Sequence, residues 1–316
     1  MPADMLNSIR WDGKPISKPG FYSNITLDQY HSPKICDGPS VSSSALRKIE
    51  NESPAHYWCD SPYNANRQEP KDAKHFVIGR AMHHLMFAEP AFNKLFCEQP
   101  DEWPDEKGLL KPWHANRNVC KEWIADRKRE GRAILSPADI HDVRGMAHSL
   151  QKHPMVRDGA FNGYIERSGF YRDPETGLWI RVRPDCIPTD SGNFVDFKTT
   201  TSVQWTDLRT TVAERGYHMQ FALMRMVARW LQLPFHSATL VFVEKKPPYC
   251  VRVVDLKDTD LDKGERQIRR ALNIFLKCWK EKHWWGPGED RADAEHLELP
   301  EWYQKKVDAR LAQTEI

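Results

Sequence analysis

The sequence predicts an α/β fold with a central mixed β-sheet flanked by helices. Three observations carry that expectation. Short β-prone runs at Glu166–Arg172, Leu178–Asp185 and Phe194–Thr199 are separated by the turn-forming stretches D-P-E-T-G and T-D-S-G. Helix-patterned segments precede and follow these runs, as a sheet covered by helices requires. Two further β-prone runs, A-T-L-V-F-V-E and Y-C-V-R-V-V-D-L, flank K-K-P-P and read as another hairpin or a pair of sheet strands.

Taken in order, residues 1–38 are polar and rich in Pro, Gly, Ser and Asn, and read as an extended arm that packs on a neighbour. Helices are expected near Ser43–Asn51 and Phe76–Phe87. The Pro-, Asp- and Lys-rich text from Cys97 to Pro112 reads as a loop near the substrate, and helices follow over Trp113–Gly131 and Pro137–Lys152. The three β-prone runs then form a meander. A helix begins after Gly216, the second pair of strands follows, and a long helix near Asp260–His283 closes the core. One elaborated domain over residues 39–285 results, with a tail at 286–316. Trp284 and Trp285 are expected to pack beneath the last helix. Base stacking or a subunit interface are the other uses open to them and to Trp302 and Tyr303.

A chain of 316 residues, 40% of them hydrophobic, can bury a large core. Its formal charge is only +2, so it is no bulk polyanion binder, and any nucleic-acid groove must come from local clustering. Arg167, Arg172, Arg181 and Arg183 form one such cluster, Lys245 and Lys246 another, and Arg266, Arg269 and Arg270 a third. The seven cysteines are scattered, with no C-x-x-C pair, which argues against a zinc ribbon or an iron–sulfur cluster. An odd cysteine count, no signal peptide and no long apolar run point to a reducing cytoplasm and no membrane. No G-x-x-x-x-G-K-[ST] loop is present, so no ATP engine is expected.

The chemistry concentrates in R-V-R-P-D-C-I-P-T-D-S-G-N-F-V-D-F-K-T-T, from Arg181 to Thr200. Asp196 and Lys198 are two apart on a strand, so a carboxylate and an ammonium project side by side. Asp185 closes the preceding strand, and the intervening turn brings it alongside Asp196. Charges among Phe194, Val195 and Phe197 are rare unless paired or bound to metal. Hard oxygen ligands recruit Mg²⁺, with Mn²⁺ as a substitute, and Lys198 neutralises charge or orients water in phosphodiester cleavage. The backbone carbonyl of Phe197, beside the same ion, is a third candidate ligand. His83 follows Phe76 and Gly79 at i, i+3, i+7 and precedes Met86, which puts it on the inward stripe of a helix and makes it a metal-ligand candidate; His84 points about 100° away. Gln220 shares a helix face with Tyr217 and Met224, and its amide has a phosphate, a base edge or Lys198 as possible partners.

Four segments together resemble the PD-(D/E)xK nuclease superfamily, in the branch of RecE-type exonucleases and RecB-like nuclease domains. They are Ser40–Trp58, Phe76–Phe92, Tyr171–Asp185 with V-D-F-K-T-T, and Gly216–Met224, in the family's order. The resemblance implies a restriction-endonuclease-like core. It implies catalytic roles for Asp185, Asp196, Lys198, Gln220 and Glu166, and metal binding by His83, Asp185, Asp196 and Phe197. DNA contacts from Arg181, Arg183, Tyr217 and Gln220 complete the set. Met224 stands where relatives often place Tyr. The implied activity is Mg²⁺-dependent hydrolysis of linear duplex DNA from 5′ ends, leaving 3′ tails for a single-strand annealing partner. A homo-oligomeric ring, such as a tetramer, is implied as well. Two rival readings are a RecB-like endonuclease or single-strand trimming enzyme, and a non-catalytic DNA-binding scaffold.

Overall fold

A computed structural model describes residues 6, 8–67, 74–87, 89–165, 167–188, 192–289 and 292–313. Glu166 and most of the T-D-S-G turn lie outside the described residues. The central sheet is mixed, as expected. Its order is Val251–Asp255, Ser237–Glu244, Asn193–Thr200, Cys186–Pro188, Gly163–Ile165. The two eight-residue strands at its centre are parallel, in register from Asn193↔Ser237 to Thr200↔Glu244, and the outer pairings are antiparallel. Parallel neighbours need a crossover, supplied here by the helices Trp205–Glu214 and Tyr217–Trp230.

Alternation along the central strands sorts their side chains between two cores. Phe194, Leu240 and Phe242 pack with Met219 and Leu223 of the crossover helix. Val195, Phe197, Val241 and Val243 pack on the other face against Ala81 and Met82 of Lys74–Phe87 and Met146 and Leu150 of Pro137–Lys152. The latter helix starts where Ser136 and Asp139 cap each other's backbone and Pro137 occupies the first turn. Outside the crossover helix lies Asp258–Glu281. The two approach so closely at Gly264 that a Cβ there would sit 2.8 Å from Ala222 Cβ.

Three expectations need correcting. The β-prone runs do not form one meander. Ser168–Arg172 and Trp179–Val182 are a hairpin of a second five-stranded sheet, and the chain crosses to the central sheet at residues 183–185. Periodicity marks strands but not which sheet they join, and the break sits where Pro184 removes a ladder donor. Residues 9–36 are no free arm. Gly20–Ser23 pairs with Ser168–Arg172, with Tyr22 opposite Ser168, and Ile16, Tyr22, Ile25, Tyr30 and Ile35 build a third core with Phe170 and Trp179. Five apolar residues spread among polar ones are enough to cover one sheet face. The Cys97–Pro112 loop is also partly ordered into Phe96–Glu98, parallel to Ala133–Leu135, and a small hairpin of Glu102–Pro104 with Leu110–Pro112.

Ser43–Asn51, Pro137–Lys152 and the long final core helix agree closely with expectation, whereas the helix expected over Trp113–Gly131 runs only from Asn118 to Arg129. Trp284 packs under that helix, stacked on Trp58 at 4.8 Å and edge-on to Phe275. Trp302 stays 67% exposed on the outlying helix Glu301–Leu311. Among the described residues, no helix is long and apolar enough to cross a membrane.

Candidate active site

The central strand Asn193–Thr200 extends past the end of its short neighbour Cys186–Pro188, which pairs with it only at Cys186↔Val195. The backbone N–H of Phe197 therefore has no strand opposite it. Asp185, the residue just before the short strand, takes that place, and its Oδ2 accepts from Phe197 N at 2.9 Å. A carboxylate thus caps the open ladder position. In extended backbone, a residue's N–H and C=O leave on the same side, so the Phe197 carbonyl faces the same gap.

His83 reaches the other oxygen: its Nε2 lies 3.0 Å from Asp185 Oδ1. The inward helix stripe thus delivers His83 to the site, although the Phe76 side chain at its start lies outside what is described. Asp196 projects to the opposite face of the strand from Phe197, toward the crossover helix. There Gln220 Nε2 donates to Asp196 Oδ1 at 2.8 Å. Of the three partners open to Gln220 in sequence, none is the one it takes. Lys198, two residues along, makes an ion pair with Asp196 Oδ2, and its Nζ lies 5.2 Å from the centroid of the Tyr217 ring. The ammonium is the charge partner of this buried oxygen, to which no other side chain donates among the described residues.

The electrostatics separate the two carboxylates. Burial works to raise the Asp185 carboxyl, but the hydrogen bond and charge of His83, the Lys198 ammonium and the Phe197 amide outweigh it and hold it below the usual carboxylate range. Asp196 is pushed up to about 6, first by burial and then by the Asp185 charge, with Lys198 only partly compensating. Burial acts to lower Lys198, yet Asp196, Asp185 and Tyr217 keep it raised. The ammonium is therefore fully charged beside an acid that ionises late.

Arg181 is corrected as a DNA contact. Its side chain is 4% exposed, and Nη1 donates to the carbonyls of Tyr30 at 2.6 Å and Ser32 at 3.2 Å, fastening the N-terminal layer to the second sheet. Arg183 donates from Nη1 to Ile25 O and Ser168 Oγ, both at 2.9 Å, and belongs to the same clamp. Alternation on a strand cannot tell which face another layer covers. Arg47 is the residue that sequence reasoning missed. Its Cζ lies 5.9 Å from the centroid of the Tyr217 ring, and Nη1 donates to Arg215 O at 2.6 Å. Burial lowers this guanidinium despite the pull of Tyr217 and Asp196. The matching segment Ser40–Trp58 contains it, but nothing in that pattern singles it out. Gly216 opens the Gln220 helix at φ 62°, where a Cβ would lie 2.9 Å from Arg47 Cδ, so glycine there serves both the turn and the arginine.

With this geometry in place, the comparisons identify the family. Residues 42–294 match the model of the family DUF3799, described as a PDDEXK-like domain of unknown function. The chain belongs to that PDDEXK-like family. A candidate exonuclease from Eubacterium rectale has a similar fold, with a TM-score of 0.56 at 12% identity over 88% of this chain and 96% of that one. A phage-related exonuclease from Haemophilus somnus 129PT gives 0.28 at 14% identity, covering 61% and 94%. The alkaline exonuclease LHK-Exo from Laribacter hongkongensis gives 0.28 at 13%, covering 54% and 87%. No curated protein sequence matches the chain. The family match confirms the restriction-endonuclease-like α/β core that the four segments implied.

Among the described residues, no three His, Cys, Asp or Glu side chains converge closely enough to form a ready cage for an ion. The donor set still fits a hard divalent cation. Asp196 Oδ2 is buried with only the Lys198 ammonium against it, and the Asp185 carboxylate is close enough to push its pKa up, so two hard oxygen donors face one region.

Proposed function

We propose that this protein is a metal-dependent deoxyribonuclease that degrades linear double-stranded DNA, 5′ to 3′, and leaves 3′ single-stranded tails for recombination. The observation that carries the reading is the pairing of a buried and a half-buried carboxylate of unequal acidity with one charged ammonium at an open strand edge. A scaffold protein gains nothing from such a group, because burying carboxylates costs stability. Asp185, Asp196, His83 and the Phe197 carbonyl are the groups that would hold Mg²⁺ or Mn²⁺. When bound, that ion acidifies water and polarises the phosphoryl oxygen.

The chain's own residues do the rest. Asp185, ionised across the working pH range, is anchored by the Phe197 amide and so keeps its position while substrate enters. Gln220 holds Asp196 Oδ1 and leaves Oδ2 as the reactive edge. Lys198 leaves its ion pair to sit beside the attacked phosphate, where it stabilises the building negative charge, and the Tyr217 ring steadies the ammonium. A catalytic role for Glu166 follows the family resemblance alone. Polarity, a ring-shaped homo-oligomer and an annealing partner are parts of the proposal that follow the family resemblance.

End-labelled linear duplex, digested with and without Mg²⁺ beside covalently closed circles, tests the proposal. Metal-dependent loss of the linear form alone is the expected result, with 5′ label released first. Nicking of circles would move the assignment to an endonuclease, and inertness toward both substrates would overturn it.

A further inference from the structure

The long helix Asp258–Glu281 carries a groove that the site above does not use. It is a shallow depression open to solvent, about 660 Å³, bordered by Arg266, Arg269, Arg270, Asn273, Lys277 and Trp285. These helix residues share the face turned away from the core, whose side is occupied by Ile268, Leu272 and Phe275. Arg269 is fixed by two hydrogen bonds to the buried Asp173, at 2.8 and 3.0 Å, and also meets Glu175. Arg270 spends Nη1 on Glu50 and leaves its side chain 66% exposed. Arg266 and Lys277 have no acidic partner among the described residues. Lys277 Nζ instead lies 5.2 Å from the centroid of the Trp285 ring. Three acids therefore set the posture of two arginines, while an arginine and a lysine at the two ends of the groove keep their charge available.

We propose that this groove binds a single strand of DNA, with Arg266, Arg270 and Lys277 on the phosphates; as Lys277 moves from the indole to a phosphate, the face of Trp285 it leaves stacks on a base, the ring being backed by its contact with His283 at 6.4 Å. From Arg266 to Lys277 the helix rises roughly 16 Å, enough for a few nucleotides. An indole at the edge of a cationic groove selects a single strand over a duplex, because duplex bases keep their faces stacked inside the helix. Asn273 adds a neutral donor and acceptor between the charges. The proposal rests on the nuclease reading only for its source of ligand, the strand left behind by digestion. It adds a second nucleic-acid contact on the outer helix layer, so product can be held while the carboxylate site acts on the opposite strand.

Anisotropy of a fluorescent oligothymidylate in EDTA, where no cleavage occurs, tests the groove on the full chain. Arg266→Glu combined with Lys277→Glu is expected to weaken binding at least tenfold. It should also flatten the log K against log salt slope by about 1.4, at about 0.7 per lost phosphate contact. Trp285→Ala, which changes no charge, should weaken binding severalfold with the slope unaltered. Thermal melts matching the unsubstituted protein verify the fold of each. Unchanged affinity in both variants, or equal competition by duplex of the same length or by an acidic polypeptide, would overturn the proposal. Loss of oligonucleotide binding in a protein that cleaves no DNA would instead defeat the nuclease reading and leave the groove standing.

Discussion

Asp196→Asn isolates what the buried carboxylate costs from what it does. The side chain is nearly isosteric, so Gln220 still has an oxygen to donate to, but the negative charge is gone. In the folded protein the carboxyl titrates at about 6, against an ordinary 3.8, so the native state holds this proton more tightly than the unfolded chain. The associated stability is fully present below pH 3.8 and is lost as pH rises through 6. At neutral pH the gap between those two values corresponds to at most about 3 kcal/mol. Coupling to Lys198, which loses its partner in the variant, offsets part of that, and a net gain of about 1–2 kcal/mol is expected. For a chain of this size that is a rise of roughly 1–3 °C in Tm at pH 7 in EDTA. The advantage shrinks toward zero as pH falls from about 6 to about 4. Mg²⁺-dependent cleavage of linear duplex should vanish in the same variant. Paired melts at pH 4.5 and pH 7, beside a digestion assay, read all of this. A variant less stable than the parent at pH 7 yet equal to it at pH 4.5, or one that still cleaves, would refute the account of this carboxylate.

Gln220→Ala removes a side-chain donor to Asp196 Oδ1, a hydrogen bond to a charged group worth about 1.5–3 kcal/mol, so cleavage should fall roughly 10–100-fold with DNA affinity retained, as steady-state digestion would show. His83→Ala should weaken Mg²⁺ binding at least tenfold in calorimetry, since it removes a candidate ligand and also the group that orients Asp185, an orienting role typically worth about 10–100-fold; unchanged ion affinity would leave His83 as a packing residue. Arg181→Met strands the carbonyls of Tyr30 and Ser32, so urea unfolding should report a loss of about 2–4 kcal/mol, while the salt dependence of DNA binding stays unaltered because the guanidinium never reached solvent.

Much of the site is legible in the sequence because its residues are close together or follow a simple period. Asp196 and Lys198 share a strand face, and alternation alone puts their head groups together. A helical stripe leads to His83, and a turn that folds the chain back leads to Asp185. The partner choices are not legible. Periodicity places Gln220 in the right neighbourhood, but its bond to Asp196 depends on how the crossover helix settles on the sheet. Arg181 misleads for a comparable reason: a basic residue beside the strand that carries the site looks exposed until residues 25–35 are known to lie over it.

By itself, the order of residues determined the α/β class, the approximate extent of the long helices and strands, and the side-by-side placement of Asp196 and Lys198. Those follow from local periodicity and turn chemistry, which act over a few residues. Only the tertiary structure decided that the hairpin and the Asn193–Thr200 strand belong to different sheets, and that Asp185 stands at their crossing to cap the Phe197 amide. It alone gave the two carboxylates unequal acidities. Burial and charge depend on which distant segments close over a group, and those contacts join residues about a hundred positions apart, as His83 and Asp185 do.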